Sequence, residues 1–182
     1  VPRSDLSAFL TSLHTALYPS AIDYYAEHSR RLRRRRSRYP PSVSSVSEAL
    51  NALGRGLQPP GLSRDGWNAR AEYKLGTFAE FGGDAAAALS HYGAAYAGII
   101  ELLRSTAALP PRTKRWAEAK VLSDALSLRM TRLHLYEVRA DEAVAQFSAH
   151  LTTVEDLCKG WGMGPESAEW WSWAGKQSVG GC

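Results

Sequence analysis

Cysteine, strand-forming runs and long apolar stretches are all scarce in this chain. Two cysteines, Cys158 and Cys182, occur in 182 residues. The first falls on an apolar helical face and the second is the last residue, so no disulfide framework is available and a reducing compartment is expected. Alternating Val, Ile and Thr are nearly absent, which removes the parallel sheet that would carry a nucleotide. No apolar run approaches the ~20 residues of a membrane span. Signatures of phosphate-binding loops, nucleophile elbows and zinc proteases are missing. Gly160, Gly162 and Gly164 alternate, but no strand precedes them, so dinucleotide binding is not expected. The five histidines, His14, His28, His91, His134 and His150, have no metal-ligand spacing and read as core or surface side chains. Cys158 likewise reads as a core residue. No catalytic residue, cofactor or metal is expected.

What remains is a globular balance, with 45% hydrophobic and 22% charged residues. Those values exclude a disordered chain, a collagen and a coiled-coil rod. The net charge is +4. Arg30, Arg31, Arg33, Arg34, Arg35, Arg36 and Arg38 supply seven positive charges within nine residues, so the rest of the chain is mildly acidic at −3. One basic element on an acidic body argues against general nucleic-acid binding. The chain lacks an initiating Met and a signal peptide and stops after Gly180 and Gly181, and it reads as a fragment of something larger.

The dominant period is helical. A first helix is expected from an N-cap at Ser4 to about Leu17, with Leu6, Phe9, Leu10, Leu13 and Leu17 as its apolar stripe. Pro19 should break it. Ser20 can then cap a second helix with Asp23 in its first turn, and Ile22, Tyr25 and Leu32 as apolar contacts, before the arginine run ends ahead of Pro40. Residues 1–38 are thus a helical pair with an arginine-rich end. Residues 39–63, punctuated by Pro, Gly and Ser, are expected to be a flexible loop or insertion with at most a short helix over Glu48–Leu53.

From Ser63 the signal strengthens. Ser63 can cap a helix to about Phe81 whose face carries Trp67, Ala71, Leu75, Phe78 and Gly82. Gly82-Gly83-Asp84 is a turn with a new cap at Asp84. The following helix, to about Ala107, has Ala85, Ala88, Leu89, Tyr92, Ala95, Tyr96, Ile99 and Leu103 on one stripe. A long helix from about Thr113 to Arg139 should turn Trp116, Ala119, Leu122, Ala125, Leu126, Leu133 and Tyr136 inward. Asp141 can cap another, carrying Ala143, Val144, Phe147, Leu151, Val154 and Cys158. A short last helix holds Trp170, Trp171 and Trp173.

Leu75, Gly76, Ala79, Gly83, Asp84, Ala88, Tyr92 and Ala95 follow most of the tetratricopeptide pattern at its spacings. Gly76, Ala88 and Ala95 let two helices approach closely, and Tyr92 fills the space between them. The pattern returns 55 residues later as Ala143 and Phe147, with Met130 and His134 where Leu75 and Ala79 stand. The expected fold is all-α, with antiparallel helical hairpins over 64–177 stacked as a tetratricopeptide-like α-solenoid segment and a truncated end at 178–182. A plain helical bundle with incidental spacing is the other reading.

These residues also carry a resemblance. Tyr73-Lys74-Leu75-Gly76-x-Phe78-x-Glu80-x-x-x-Asp84, then Ala88-Leu89-x-x-Tyr92-x-x-Ala95-Tyr96, resembles the foie gras domain family found in TRAPP complex subunit 11. Lys120-Val121-Leu122 through Arg132-Leu133, Ala143 through Leu151, and Trp173-x-x-Lys176-Gln177 are similar to its next motifs in order. Tyr24-Tyr25 fits its opening helix. Residues 39–63 have no counterpart, and the helix that should continue past Gln177 is broken by Ser178-Val179-Gly180-Gly181. The resemblance implies a non-catalytic scaffold in a vesicle-tethering complex that acts in ER-to-Golgi transport and autophagy and activates a Rab-family GTPase through other subunits. It implies other TRAPP subunits as partners, with autophagy or coat proteins as further ones, and a cytoplasmic location peripheral to ER and Golgi membranes.

Two surfaces stand out as candidates. The seven arginines encircle a helix end, so they either face solvent or meet an acidic protein surface, an anionic membrane or nucleic acid. Nucleic acid is not expected, because aromatic residues for base stacking are not interleaved. Trp170 and Trp173 share a helix face, either closing the last core or anchoring a partner. A generic tetratricopeptide-like peptide-binding adaptor is the rival function. It would need polar residues lining a groove, where mainly Ala is found. A helical enzyme would need paired ionisable groups, which the sequence does not offer.

Overall fold

Each helix in this protein begins or ends on a signal that its side chains supply. The computed structural model describes residues 3–38, 63–105, 109–111, 113–159 and 165–180. Its helices are α1 (Arg3–Arg36), α2 (Arg64–Phe81), α3 (Ala85–Arg104), α4 (Lys114–Tyr136), α5 (Ala140–Lys159) and α6 (Ala168–Gly180), and no strand occurs among the described residues. The expected loop and the Glu48–Leu53 helix lie outside them, as do the glycines at 160–164, Trp161 and Cys182.

Two N-caps, Ser63 and Asp84, fall where the sequence predicts, and Thr113, expected only as the approximate start of its helix, is a third. Ser63 Oγ accepts from Gly66 N at 3.1 Å, Asp84 Oδ1 from Ala87 N at 2.9 Å, and Thr113 Oγ1 from Trp116 N at 3.2 Å. Each removes an orphan donor from a helix start, worth about 1 kcal/mol. Of the other expected caps, Ser4 and Asp141 lie instead in the first turns of α1 and α5.

The amino-terminal pair is corrected to one helix. α1 runs through Pro19 without turning back. Proline forfeits the bond to the Thr15 carbonyl, but its fixed φ near −65° is a helical value, so the chain continues. Ser20 therefore caps nothing. Only the second half of α1 packs on α2, with the Tyr25 ring 6.2 Å from Phe78 and 5.5 Å from Phe81 and His28 6.0 Å from Phe78. The expected break after Gln177 is also absent, since α6 extends to Gly180.

Consecutive helices pack on one another, α1 on α2, α2 on α3, α3 on α4 and α4 on α5. The main core joins Ala88, Tyr92, Ala95, Ile99, Ile100 and Leu103 of α3 to Trp116, Leu126, Met130 and Leu133 of α4. A smaller one joins Val154 and Cys158 of α5 to Trp170 of α6, with Trp173 against it.

The 55-residue repeat extends to the turns. Gly83 N bonds Glu80 O at 3.0 Å and Asp84 N bonds Ala79 O at 2.9 Å. Fifty-five positions on, Val138 N bonds Leu135 O at 3.0 Å and Arg139 N bonds His134 O at 2.8 Å. Both are the paired bonds of a Schellman turn, which places its central residue in the left-handed region. Gly83 has φ +79° and Val138 φ 59°. Burial repeats as well: Leu75 with Met130, Ala88 with Ala143, Ala95 with His150, Ile99 with Val154 and Leu103 with Cys158 are all buried pairs.

Val138 is the poor member of the set. A β-branched residue in this region costs about 1–2 kcal/mol that glycine does not, and its side chain is exposed. Val138→Gly should therefore stabilise the fold by about 1 kcal/mol after glycine's own entropic penalty. Urea unfolding should give a higher midpoint at unchanged slope, and a lower midpoint would show the turn to be unstrained.

Candidate functional site

The long helix α4 presents a different face from the one its apolar residues suggest. Trp116, Leu126 and Leu133 are buried as expected, but Leu122, Ala125 and Tyr136 face outward. Ser123, Asp124, Ser127 and Met130 take the inward positions. On α5 Val144 also faces out, while His150 is buried. The reason is a polar cluster inside the fold, which a reading of apolar periodicity passes over.

Asp124 is its centre. Oδ1 accepts from His150 Nε2 at 3.1 Å. Oδ2 accepts from Trp173 Nε1 at 2.8 Å and Gln177 Nε2 at 3.3 Å, with Lys120 Nζ at 3.5 Å. A carboxylate offers about four lone-pair sites, and donors from α4, α5 and α6 occupy them. The other ring nitrogen of His150, Nδ1, lies 3.0 Å from the Tyr96 hydroxyl. The Lys120 ammonium lies 4.1 Å above the Trp173 ring. Burial pushes Lys120 down, against the pull of Asp124. Burial pushes the Tyr96 phenol and the Cys158 thiol up.

The order Tyr96, His150, Asp124 is that of a nucleophile, a base and its orienting acid. Its environment suits a different task. The His150 side chain is fully enclosed, and burial raises the phenol where activation of a nucleophile would lower it. The cluster holds three helices together. Among the described residues no group of His, Cys, Asp and Glu could hold a metal ion.

A second polar set seals the α2–α3 hairpin. The Tyr92 hydroxyl donates to Glu80 Oε2 at 2.6 Å, and Arg129 Nε of α4 donates to the same oxygen at 2.8 Å. Burial, then the Glu80 bond, pushes the Tyr92 phenol well above its ordinary range. The candidate packing residues Leu75, Gly76, Ala88, Tyr92 and Ala95 are all buried at this hairpin. In the second hairpin Ala143 is buried and Phe147 half-buried. Thr131 stands where Gly76 does, so Phe147 cannot sink to the depth of Tyr92.

The arginine run is divided. Arg36 pairs with Glu72 of α2, whose other oxygen lies 2.6 Å from His91 Nδ1, and Arg33 reaches His91 Nε2 at 3.3 Å. Arg30 and Arg31 pair with Glu27 of their own helix. Arg30, Arg31, Arg33, Arg34, Arg35 and Arg38 are exposed. Of the seven candidate contact arginines, Arg36 thus has its guanidinium committed internally. Trp170 is buried and Trp173 half-buried, with ring centroids 4.9 Å apart, while Trp171 faces solvent. Both shared-face tryptophans therefore close the α5–α6 core. Sequence reasoning missed Asp124, His150, Glu80 and Arg129 as a network, and only their polar identity at inward helix positions could have pointed to it.

No curated protein and no solved structure matches the chain. The family described as Foie gras liver health family 1 matches residues 115–180. That span holds α4, α5 and α6, and with them Asp124 and every donor that its carboxylate accepts. The α2–α3 hairpin lies before it. Over that span, from Arg115 to Gly180, the chain is similar to the foie gras family.

Proposed function

We propose that this protein is a non-catalytic scaffold segment of a TRAPP vesicle-tethering complex subunit. It acts in ER-to-Golgi transport and autophagy and supports assembly of a Rab guanine-nucleotide exchange complex. The observation that carries this reading is the coincidence of the foie gras match with the Asp124 cluster. Lys120, Trp173 and Gln177, which the resemblance singles out, meet at one carboxylate whose task is to fix three helices in place. A family motif used to set shape is what a scaffold requires. Neighbour-to-neighbour packing and a turn repeated at fixed spacing support a tetratricopeptide-like stack. On this reading the protein is cytoplasmic and peripheral to ER and Golgi membranes. Its partners are other TRAPP subunits, with autophagy or coat proteins as further ones.

Affinity purification of the tagged protein from cells tests this. Recovery of other tether subunits, lost in a variant with a disrupted Asp124 cluster, is the expected result. Recovery of chaperones through acidic carboxy-terminal tails would assign the protein to the peptide-binding adaptors instead.

A further inference from the structure

The first half of α1 carries a bulky apolar face with no partner among the described residues. Leu6, Phe9, Leu10, Leu13 and Leu17 are between 43% and 62% exposed. At 3.6 residues per turn they fall within a sector of about 100°. Tyr24, Arg31, Arg35 and Arg38 fall in that same sector and Arg34 beside it, all of them exposed. Glu27, Arg31, Arg34, Arg35 and Arg38 line one shallow depression. The face turned to α2, with Tyr25 and Arg36, lies to the side, and His28 stands on the border between the two. One helix of 34 residues therefore displays, along a single outward strip, large apolar side chains at one end and guanidinium groups at the other.

We infer that this strip is a membrane-surface contact, with the apolar half of α1 inserted among the headgroups of an anionic phospholipid bilayer and the arginine half held on their phosphates. Two features favour a bilayer over a protein helix. The first is the polar side of the apolar half, which is Ser7, Thr11, Ser12, His14 and Thr15 with Asp5 as its one acidic group, and no charge-pairing pattern of the kind that registers partner helices. Thr11 and Thr15 bond back to the carbonyls of Ser7 and Thr11 at 2.9 Å each, so the side turned away from the strip carries hydroxyls whose donors are already satisfied. An interfacial helix combines apolar burial with attraction to anionic lipid. The second is charge. Glu27 offsets part of the arginine patch, and the remaining exposed guanidiniums are complementary to phosphate, which binds them bidentately. Pro19 and the exposed Tyr24 stand between the halves, Tyr24 on the strip and suited to headgroup level. No helix among the described residues is long and apolar enough to cross a membrane, so the contact lies in the plane of the interface. This inference stands on α1 alone, and its failure would leave the scaffold reading untouched.

Co-sedimentation of the whole chain with vesicles of phosphatidylcholine, with or without phosphatidylserine, tests it. The chain should bind the phosphatidylserine vesicles, and added salt should weaken binding. Arg34→Glu with Arg35→Glu should weaken it about a hundredfold, and Leu10→Asp with Leu13→Asp at least about tenfold. These side chains are exposed, so melting temperature and helical circular dichroism should be unchanged. Phe9→Ser serves as a second apolar variant should the first melt early. Failure to bind phosphatidylserine vesicles, or equal binding by both double variants, would overturn the proposal. So would a dimer in solution that Leu10→Asp with Leu13→Asp dissolves, since the face would then belong to a second copy.

Discussion

Gly76→Ala should lower the unfolding midpoint of this protein, although alanine is the better helix former. A Cβ at Gly76 would lie 2.6 Å from Tyr92 Cδ1 and 2.7 Å from Cε1. The ring has nowhere to go. It is fully buried, its hydroxyl is fixed on Glu80, Tyr73 lies 6.0 Å from its centroid, and the Arg129 guanidinium lies 5.5 Å away. Overpacking of this kind costs about 1–3 kcal/mol. The propensity gain of about 1 kcal/mol offsets part of it, and a net loss of about 1–2 kcal/mol is expected. Gly76→Leu should lose several kcal/mol, a large share of the ~5–15 kcal/mol typical of a domain. Gly93 supplies the contrast on the next helix. Nothing lies within 4 Å of a Cβ there, so Gly93→Ala should stabilise by about 0.5–1 kcal/mol. Urea titrations of both variants decide the matter. If Gly76→Ala were as stable as Gly93→Ala, close approach at Tyr92 would not be what positions this hairpin.

The second large effect is at Asp124. Asp124→Asn keeps the volume, removes the charge, and places an amide donor among four donors. The His150 and Trp173 bonds cannot both survive, and the Lys120 ammonium, largely enclosed, loses its counter-charge. Breaking a buried charge network from one side costs about 3–5 kcal/mol. Trp173→Phe removes one donor and leaves the carboxylate with three, for about 1–2 kcal/mol. Thermal unfolding followed by tryptophan fluorescence should rank the parent first, then Trp173→Phe with its reduced signal, then Asp124→Asn. Equal melting of parent and Asp124→Asn would mean that the cluster does not fasten the helices.

What could be read from the residues alone divides by range. Helix starts were legible because Ser63, Asp84 and Thr113 act within three residues of themselves. The α2–α3 hairpin was legible because small residues at Gly76, Ala88 and Ala95 have one physical use, which is close approach. The repeat at Ala143 and Phe147 followed from the same spacing. Two features escape such short-range signals. Pro19 carries the signal of a terminator, yet a proline in a long helix loses one hydrogen bond and keeps the rest. Apolar residues alone assign Leu122 and Tyr136 to the inward face of α4, where Asp124 sits instead. An inward carboxylate is tolerable only with its donors in reach. All but Lys120, an i,i+4 neighbour on α4, sit on other helices, 26, 49 and 53 positions away, where no local pattern can show them. The division of the arginine run has the same origin, because Glu72, which claims Arg36, is 36 positions distant.

The Asp124 cluster bears on how load passes through the molecule. Apolar faces slide, since one packed arrangement resembles the next at small offsets. Hydrogen bonds from three helices to one pair of oxygens do not slide, because a shift of an ångström breaks several at once. Traction on the last helix is therefore transmitted to α4 and α5 as to a single stiff body. A pull at this end meets a rivet, whereas the first half of α1 has no such fastening among the described residues.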